Sequence, residues 1–199
     1  MSVIKPIVKF GAIDPGLDGA LAFMYYDGSV IARPTPLVKD GTSRDFNIPA
    51  MVQCLKDYCD LDLLVIERAV PMRKEGRVQG VSSTFSFGRG YGIWLGIIHT
   101  LGIKLHIMRS QDWKAHTLRG TKKDKVAAIS YAQARHPEAS LMATPRSRTP
   151  HDGMADAICM LHYAQYMATD DNTDVADKGH DKLWLSPVAK VGKAWCAST

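Results

Sequence analysis

The chain is 199 residues long, with 46% hydrophobic and 23% charged residues and a formal net charge of +5. That length buries a substantial core without dividing into two ordinary domains, and the balance excludes wholesale disorder. Four cysteines (Cys54, Cys59, Cys159, Cys196) form no CxxC pair and no zinc pattern, and no leader or membrane-length apolar run is seen, so a soluble cytoplasmic protein with reduced thiols is expected.

The first apolar run, with Val8, Phe10, Ala12 and Ile13, ends in Asp14 and meets the turn residues Pro15 and Gly16. That order places an acid at the mouth of a sheet. A strand over 20–26, a turn at Asp27 and Gly28, and a strand over 29–33 complete an antiparallel meander. Residues 34–46 read as a loop. Asn47 with Pro49 opens a helix reaching about Cys59, whose Met51, Leu55 and Tyr58 face the sheet. The apolar run 61–66 ends in Glu67, and the helix crossover before it makes this strand parallel to the first. Asp14 and Glu67 then leave the sheet at one edge.

Residues 71–81 are a basic, glycine-containing loop beside that edge. A helix over 82–101 combines aromatics (Phe85, Phe87, Tyr91, Trp94) with Gly88, Gly90, Gly92 and Gly96, and so many glycines ask for a close neighbour. The repeat of Gly88, Gly92 and Gly96 every four residues suits either a homodimer contact or packing within the subunit. A strand over 104–108 follows, then Ser110 as a helix cap and a helix over 122–135. From Lys104 to Arg148, ten Lys and Arg face three acids, a local charge of +7 that reads as a phosphate-binding surface or as a solvated face. The last helix, 151–167, carries Asp152 and Asp156 on one face.

Four carboxylates brought together repel one another unless protons or cations compensate. An oxygen-only set without a Cys or His cluster points to Mg2+, with Mn2+ as a substitute. Singly, each acid has a plainer reading as a turn cap, a solvated strand end or a helix N-terminal acid.

The order GAIDPG, LLVIERA, QGVSSTFSFGRGYGIWLG and HDGMADA resembles the RuvC-type Holliday-junction resolvases of the ribonuclease H-like superfamily, particularly their phage-encoded branch, over residues 7–168. The elements in order give a mixed five-stranded α/β sheet with helices on both faces, which the resemblance identifies as a ribonuclease H-like domain over 1–168, leaving 169–199 as a C-terminal tail. It further implies a homodimeric endonuclease in the host cytoplasm that cuts four-way DNA junctions and leaves 5′-phosphate ends. Two Mg2+ ions per site would be held by Asp14, Glu67, Asp152 and Asp156, with Lys125 joining these acids in catalysis. Of the basic residues the resemblance carries over only Lys114 and Lys125, near the scissile phosphate; Arg73, Lys74, Arg77, Arg89, Lys122 and Lys123 are expected from their charge to bind DNA as well. His151 would orient a water or ligand, or serve structure alone.

Two departures stand out. Val70 occupies the place where cellular resolvases carry a junction-stacking aromatic. Residues 169–199, acidic and then apolar from Trp184 to Trp195, have no counterpart and form either a free tail or a docking segment. The alternatives are a related nuclease for other branched DNA or RNA and a non-cleaving junction-binding protein. An actin-like ATPase, which shares the Asp-x-Gly turn, needs about twice this length.

Overall fold

The computed structural model describes residues 8–58, 61–70, 73–74, 77–78 and 80–169, and β1 (Val8–Asp14) lies at the centre of its main sheet. Of the tail expected over 169–199, Thr169 is the last residue of the final helix, and residues 170–199, like Cys59, lie outside the described residues. After β1 the chain turns at Gly16 and Gly19 and returns antiparallel as β2 (Ala20–Tyr25). A Cβ at Gly19 would overlap the Asp14 carbonyl oxygen, so the turn admits only glycine there. β3 (Val30–Pro34) completes the meander across Gly28, whose φ is 86°.

Residues 34–46 are not the expected loop but a second hairpin, β4 (Leu37–Asp40) with β5 (Ser43–Phe46), turning at Gly41 with φ 57°. Of its strand residues only Phe46 is buried, so no apolar alternation marks the hairpin in the sequence. α1 (Ile48–Lys56) is capped by Asn47, whose Oδ1 accepts the Ala50 N–H at 3.2 Å, and Met51, Leu55 and Tyr58 are buried.

β6 (Leu63–Glu67) runs parallel to β1 with Ile13 beside Ile66. In the stretch read as a loop, β7 (Arg73–Lys74) pairs with β8 (Arg77–Val78); the side chains of Arg73, Lys74 and Arg77 lie outside the described residues. α2 (Val81–Thr100) leads to β9 (Leu105–Met108), which is parallel to β6, giving the order β3-β2-β1-β6-β9. α3 (Ser110–Thr117), α4 (Lys125–Arg135) and α5 (Asp152–Thr169) follow.

Two helix starts differ from expectation. Ser110 is the first residue of α3 rather than its cap, which is Arg109. α4 begins at Lys125, not at residue 122, because Lys123 has φ 57° and Asp124 caps the helix, accepting the Ala127 N–H at 2.9 Å. Lys122 and Lys123 therefore sit on the loop before it.

Strand alternation splits the core into two layers. Ile13, Leu64 and Ile66 pack with Met51, Leu55, Trp94 and Ile98 on the face covered by α1 and α2. Phe10, Ala12 and Val65 pack with Trp113, Ala128 and Ile158 on the face covered by α3, α4 and α5. Asp14 stands two residues beyond Ala12, and Glu67 two beyond Val65. The period of two therefore sends both acids to the α5 face.

Candidate active site

β1 and β6 end side by side, so Asp14 and Glu67 emerge together at the C-terminal edge of the sheet. Two helices press on the turn that follows β1. At Gly153 of α5 a Cβ would lie 2.5 Å from the Asp18 carbonyl oxygen, which seats Asp152 and Asp156 against that turn. At Gly90 of α2 a Cβ would lie 2.5 Å from the Pro15 carbonyl oxygen and would overlap the Phe46 ring. Gly90 thus accounts for close packing within the subunit, whereas a Cβ at Gly88, Gly92 or Gly96 would meet no atom within 4 Å.

The acids act on one another. The Asp14 carboxyl is pushed up to about 7, first by burial and then by Glu67, Asp156 and Asp152. Asp156 is pushed up to about 6 by burial, with Glu67 and Asp152 adding to it and Lys114 and Lys125 opposing. Burial also raises Glu67, against hydrogen bonds from Trp113 and Ser110 and the charge of Lys114. For Asp152 burial is outweighed by Lys125, whose Nζ pairs with its Oδ2, so this carboxyl falls below its ordinary value.

Every charged side chain that shifts Asp14 is an acid, and the group offers four carboxylates, the donor set of a hard divalent cation. As it stands, no group of three or more His, Cys, Asp or Glu among the described residues is arranged to hold an ion. Asp152 is turned onto Lys125, and Glu67 Oε2 accepts the Trp113 indole N–H at 2.8 Å. The expected coordination sphere is electrostatically present but not closed.

The cations are divided around these acids. Lys114 and Lys123 line a cavity of about 490 Å³ with Arg68, Val70, Arg109, Ser110 and Gln111. Lys125 and Arg148 line a second, of about 380 Å³, together with the acids Asp18 and Asp152 and with His151. Lys122 is exposed on the loop. Arg89 is drawn into a pair with Asp45 and lies over the Phe46 ring, with the centroid at 5.4 Å, so the structure gives it a partner within the fold. His151 Nδ1 accepts the Met154 N–H at 3.3 Å, a helix-capping bond.

Sequence reasoning missed Trp113, which holds Glu67. The available signal was the tryptophan itself, since a buried indole requires an acceptor for its N–H.

No family model and no curated protein sequence matches the chain. Among solved structures, Thermus thermophilus RuvC is similar at 16% identity with a TM-score of 0.51, over 79% of this chain and 96% of that one. The yeast mitochondrial Holliday junction resolvase is similar at 15% identity with a TM-score of 0.51, over 84% of this chain and 82% of that one. The chain has the α/β, ribonuclease H-like fold of the RuvC-type resolvases.

Proposed function

We propose that the protein is a structure-selective endonuclease that cleaves four-way DNA junctions by divalent-metal-dependent hydrolysis, leaving 5′-phosphate ends. The observation that carries this reading is the meeting of Asp14, Glu67, Asp152 and Asp156 at one sheet edge, with the cations Lys114 and Lys125 acting on them. One of the proteins of like fold supports the substrate, since the yeast mitochondrial protein is a Holliday junction resolvase by name. Two Mg2+ ions, or Mn2+ in their place, would supply an activated water and stabilise the departing 3′ oxygen when held by the four acids.

The chain's own residues do the rest. Lys114, which acts on both Glu67 and Asp156, and Lys125, which pairs with Asp152, offset part of the acid charge and present ammonium groups to a phosphate. Lys123 and Arg68 on one side and Arg148 on the other would extend these into a basic track, while Arg109 is already paired with Asp112 at 2.8 Å. A junction needs two cuts on strands of like polarity, and one domain supplies one acid cluster. A homodimer built on α2 would supply two, and the exposed Gly88, Gly92 and Gly96 with Phe85 at 70% exposure support that face as the contact.

The test is cut mapping on an immobile four-way junction with Mg2+, run beside sedimentation of the free protein and the complex. Paired nicks at symmetry-related positions by two protomers support the reading. Single nicks by a monomer would move it to another branched-nucleic-acid nuclease of the same fold. The second reading is a junction-binding protein that does not cut, and binding without any Mg2+-dependent or Mn2+-dependent nick would establish it.

A further inference from the structure

Trp113 is fully buried in the layer between the sheet and α5, and its one polar atom is committed: the indole N–H donates to Glu67 Oε2 at 2.8 Å. The tryptophan cannot turn away from that bond without emptying the core around it. Its neighbours on α3 reinforce the placement. Ser110, Trp113, Lys114 and Thr117 share one helix face, at the spacing i, i+3, i+4, i+7. The Lys114 ammonium lies 4.9 Å from the Trp113 ring centroid and acts on Glu67, and the Thr117 hydroxyl bonds back to the Trp113 carbonyl at 2.8 Å. α3 therefore works as a bracket for a single carboxylate.

A carboxylate oxygen that already accepts a fixed N–H is a poorer ligand for an ion than its unbonded partner oxygen. We propose that Trp113 is a positioning residue that reserves Oε2 of Glu67 and leaves Oε1 to meet a divalent cation, favouring Mg2+ and Mn2+ over Ca2+. The proposal rests on the metal-dependent reading above. The ion selectivity follows from coordination chemistry. Ca2+ takes more oxygens in a looser shell and readily uses both oxygens of one carboxylate, whereas Mg2+ takes fewer at near-octahedral angles. A one-oxygen Glu67 suits the second kind of shell.

The test is direct ion binding to the full chain without DNA, with Mn2+ and Ca2+ titrated separately by calorimetry and free Mn2+ followed by its spin-resonance signal. Wild type and Glu67→Gln define the part of the binding that depends on Glu67. Trp113→Phe keeps an aromatic in the core and removes the N–H. It is expected to weaken Mn2+ binding about 10- to 100-fold, the usual effect of losing a partner behind a metal ligand. Ca2+ binding is expected to fall much less, so the preference between the ions narrows. An equal loss for both ions, as a merely structural role would give, overturns the proposal; so does no loss.

A second readout does not need the Trp113 variant to fold. The chain has four tryptophans, and in a nitrogen-15 spectrum Glu67→Gln should displace one indole N–H resonance and leave the other three in place. No displaced indole signal would refute the bond. Failure of the two readings is separable: Glu67-dependent ion binding that ignores Trp113 removes only this proposal, while no Glu67-dependent binding by the wild type removes the metal reading and this proposal together.

Discussion

The layer formed by α3, α4 and α5 contains two polar clusters of opposite character. At the start of α5, four acids crowd together with too few protons or cations among them. Farther along α5, a chain of side chains satisfies itself: Tyr131 OH meets His162 Nδ1 at 2.8 Å, His162 Nε2 meets His136 Nε2 at 2.7 Å, and His136 Nδ1 meets Glu138 Oε1 at 2.9 Å. One proton per link satisfies this chain with both imidazoles neutral: tyrosine donates to His162, His162 to His136, and His136 to the carboxylate. The histidine chain ties α4 to α5 and needs nothing from outside. The acid cluster is complete only when something positive arrives. A buried polar group that closes its own bonds is architecture, whereas one left with uncompensated like charge is a site.

The largest effect that would break this contrast concerns Asp14. Asp14→Asn should reduce cleavage by more than about 100-fold, as removal of a key charge-stabilising group does, while junction binding survives. The metal-free variant should also melt higher than wild type near pH 8, because a buried like charge is gone. An active Asp14→Asn enzyme, or one that melts lower, would show that the acids are ordinary structural groups.

The histidine chain should behave in the opposite way. Tyr131→Phe or His162→Ala should destabilise the fold by about 1–3 kcal/mol, the effect of leaving a buried hydrogen-bonding partner unsatisfied. Cleavage by the folded fraction should remain close to wild type. Thermal melting followed with and without Mg2+ checks the first statement, and cut rates per folded molecule check the second.

The two clusters should also give metal-free stability two limbs in pH. Asp14 has its folded pKa raised to about 7 from 3.8, so the folded state holds the proton more tightly than the unfolded chain does. Its stabilising contribution is full below about pH 4 and is lost as the pH rises through 7. His162 is lowered to about 4 from 6.5 by burial, with His136, Arg135 and His116 adding to it. Its contribution is present above pH 6.5 and is lost as the pH falls through 4. Mg2+ should therefore raise the melting temperature more at pH 8 than at pH 5, and Asp14→Asn should flatten the alkaline limb only.

The smallest effects lie on the surface. Neutralising Lys122 and Lys123 should weaken binding to every DNA shape alike and lower the salt slope by about 1 for each lysine that meets a phosphate. Arg89→Ala should change stability by about 0–1 kcal/mol, as an exposed ion pair does. It should cost less DNA affinity than either lysine, because Asp45 already holds the guanidinium. Filter binding across a salt series ranks the three.

Much of the site was legible in the amino-acid order because it is written in short-range periodicity. An acid directly after an apolar run marks a strand end, a helical crossover makes the second strand parallel to the first, and a spacing of four puts Asp152 and Asp156 on one helix face. Those rules alone bring Asp14 and Glu67 to one edge and set α5 against them. They also place the buried face of α1. Tertiary structure decided whatever depends on partners distant along the chain. Trp113 reaches Glu67 across 46 residues and Arg89 reaches Asp45 across 44, and both pairings follow from how helices cross the sheet, which no local pattern encodes. The hairpin of β4 and β5 buries only Phe46 and is otherwise tied by the pairs Arg44–Asp18 and Asp45–Arg89, and Gly90 rather than its neighbouring glycines touches the Pro15 carbonyl because that is where α2 crosses the turn. Periodicity fixes which face a residue presents; only packing fixes what that face meets.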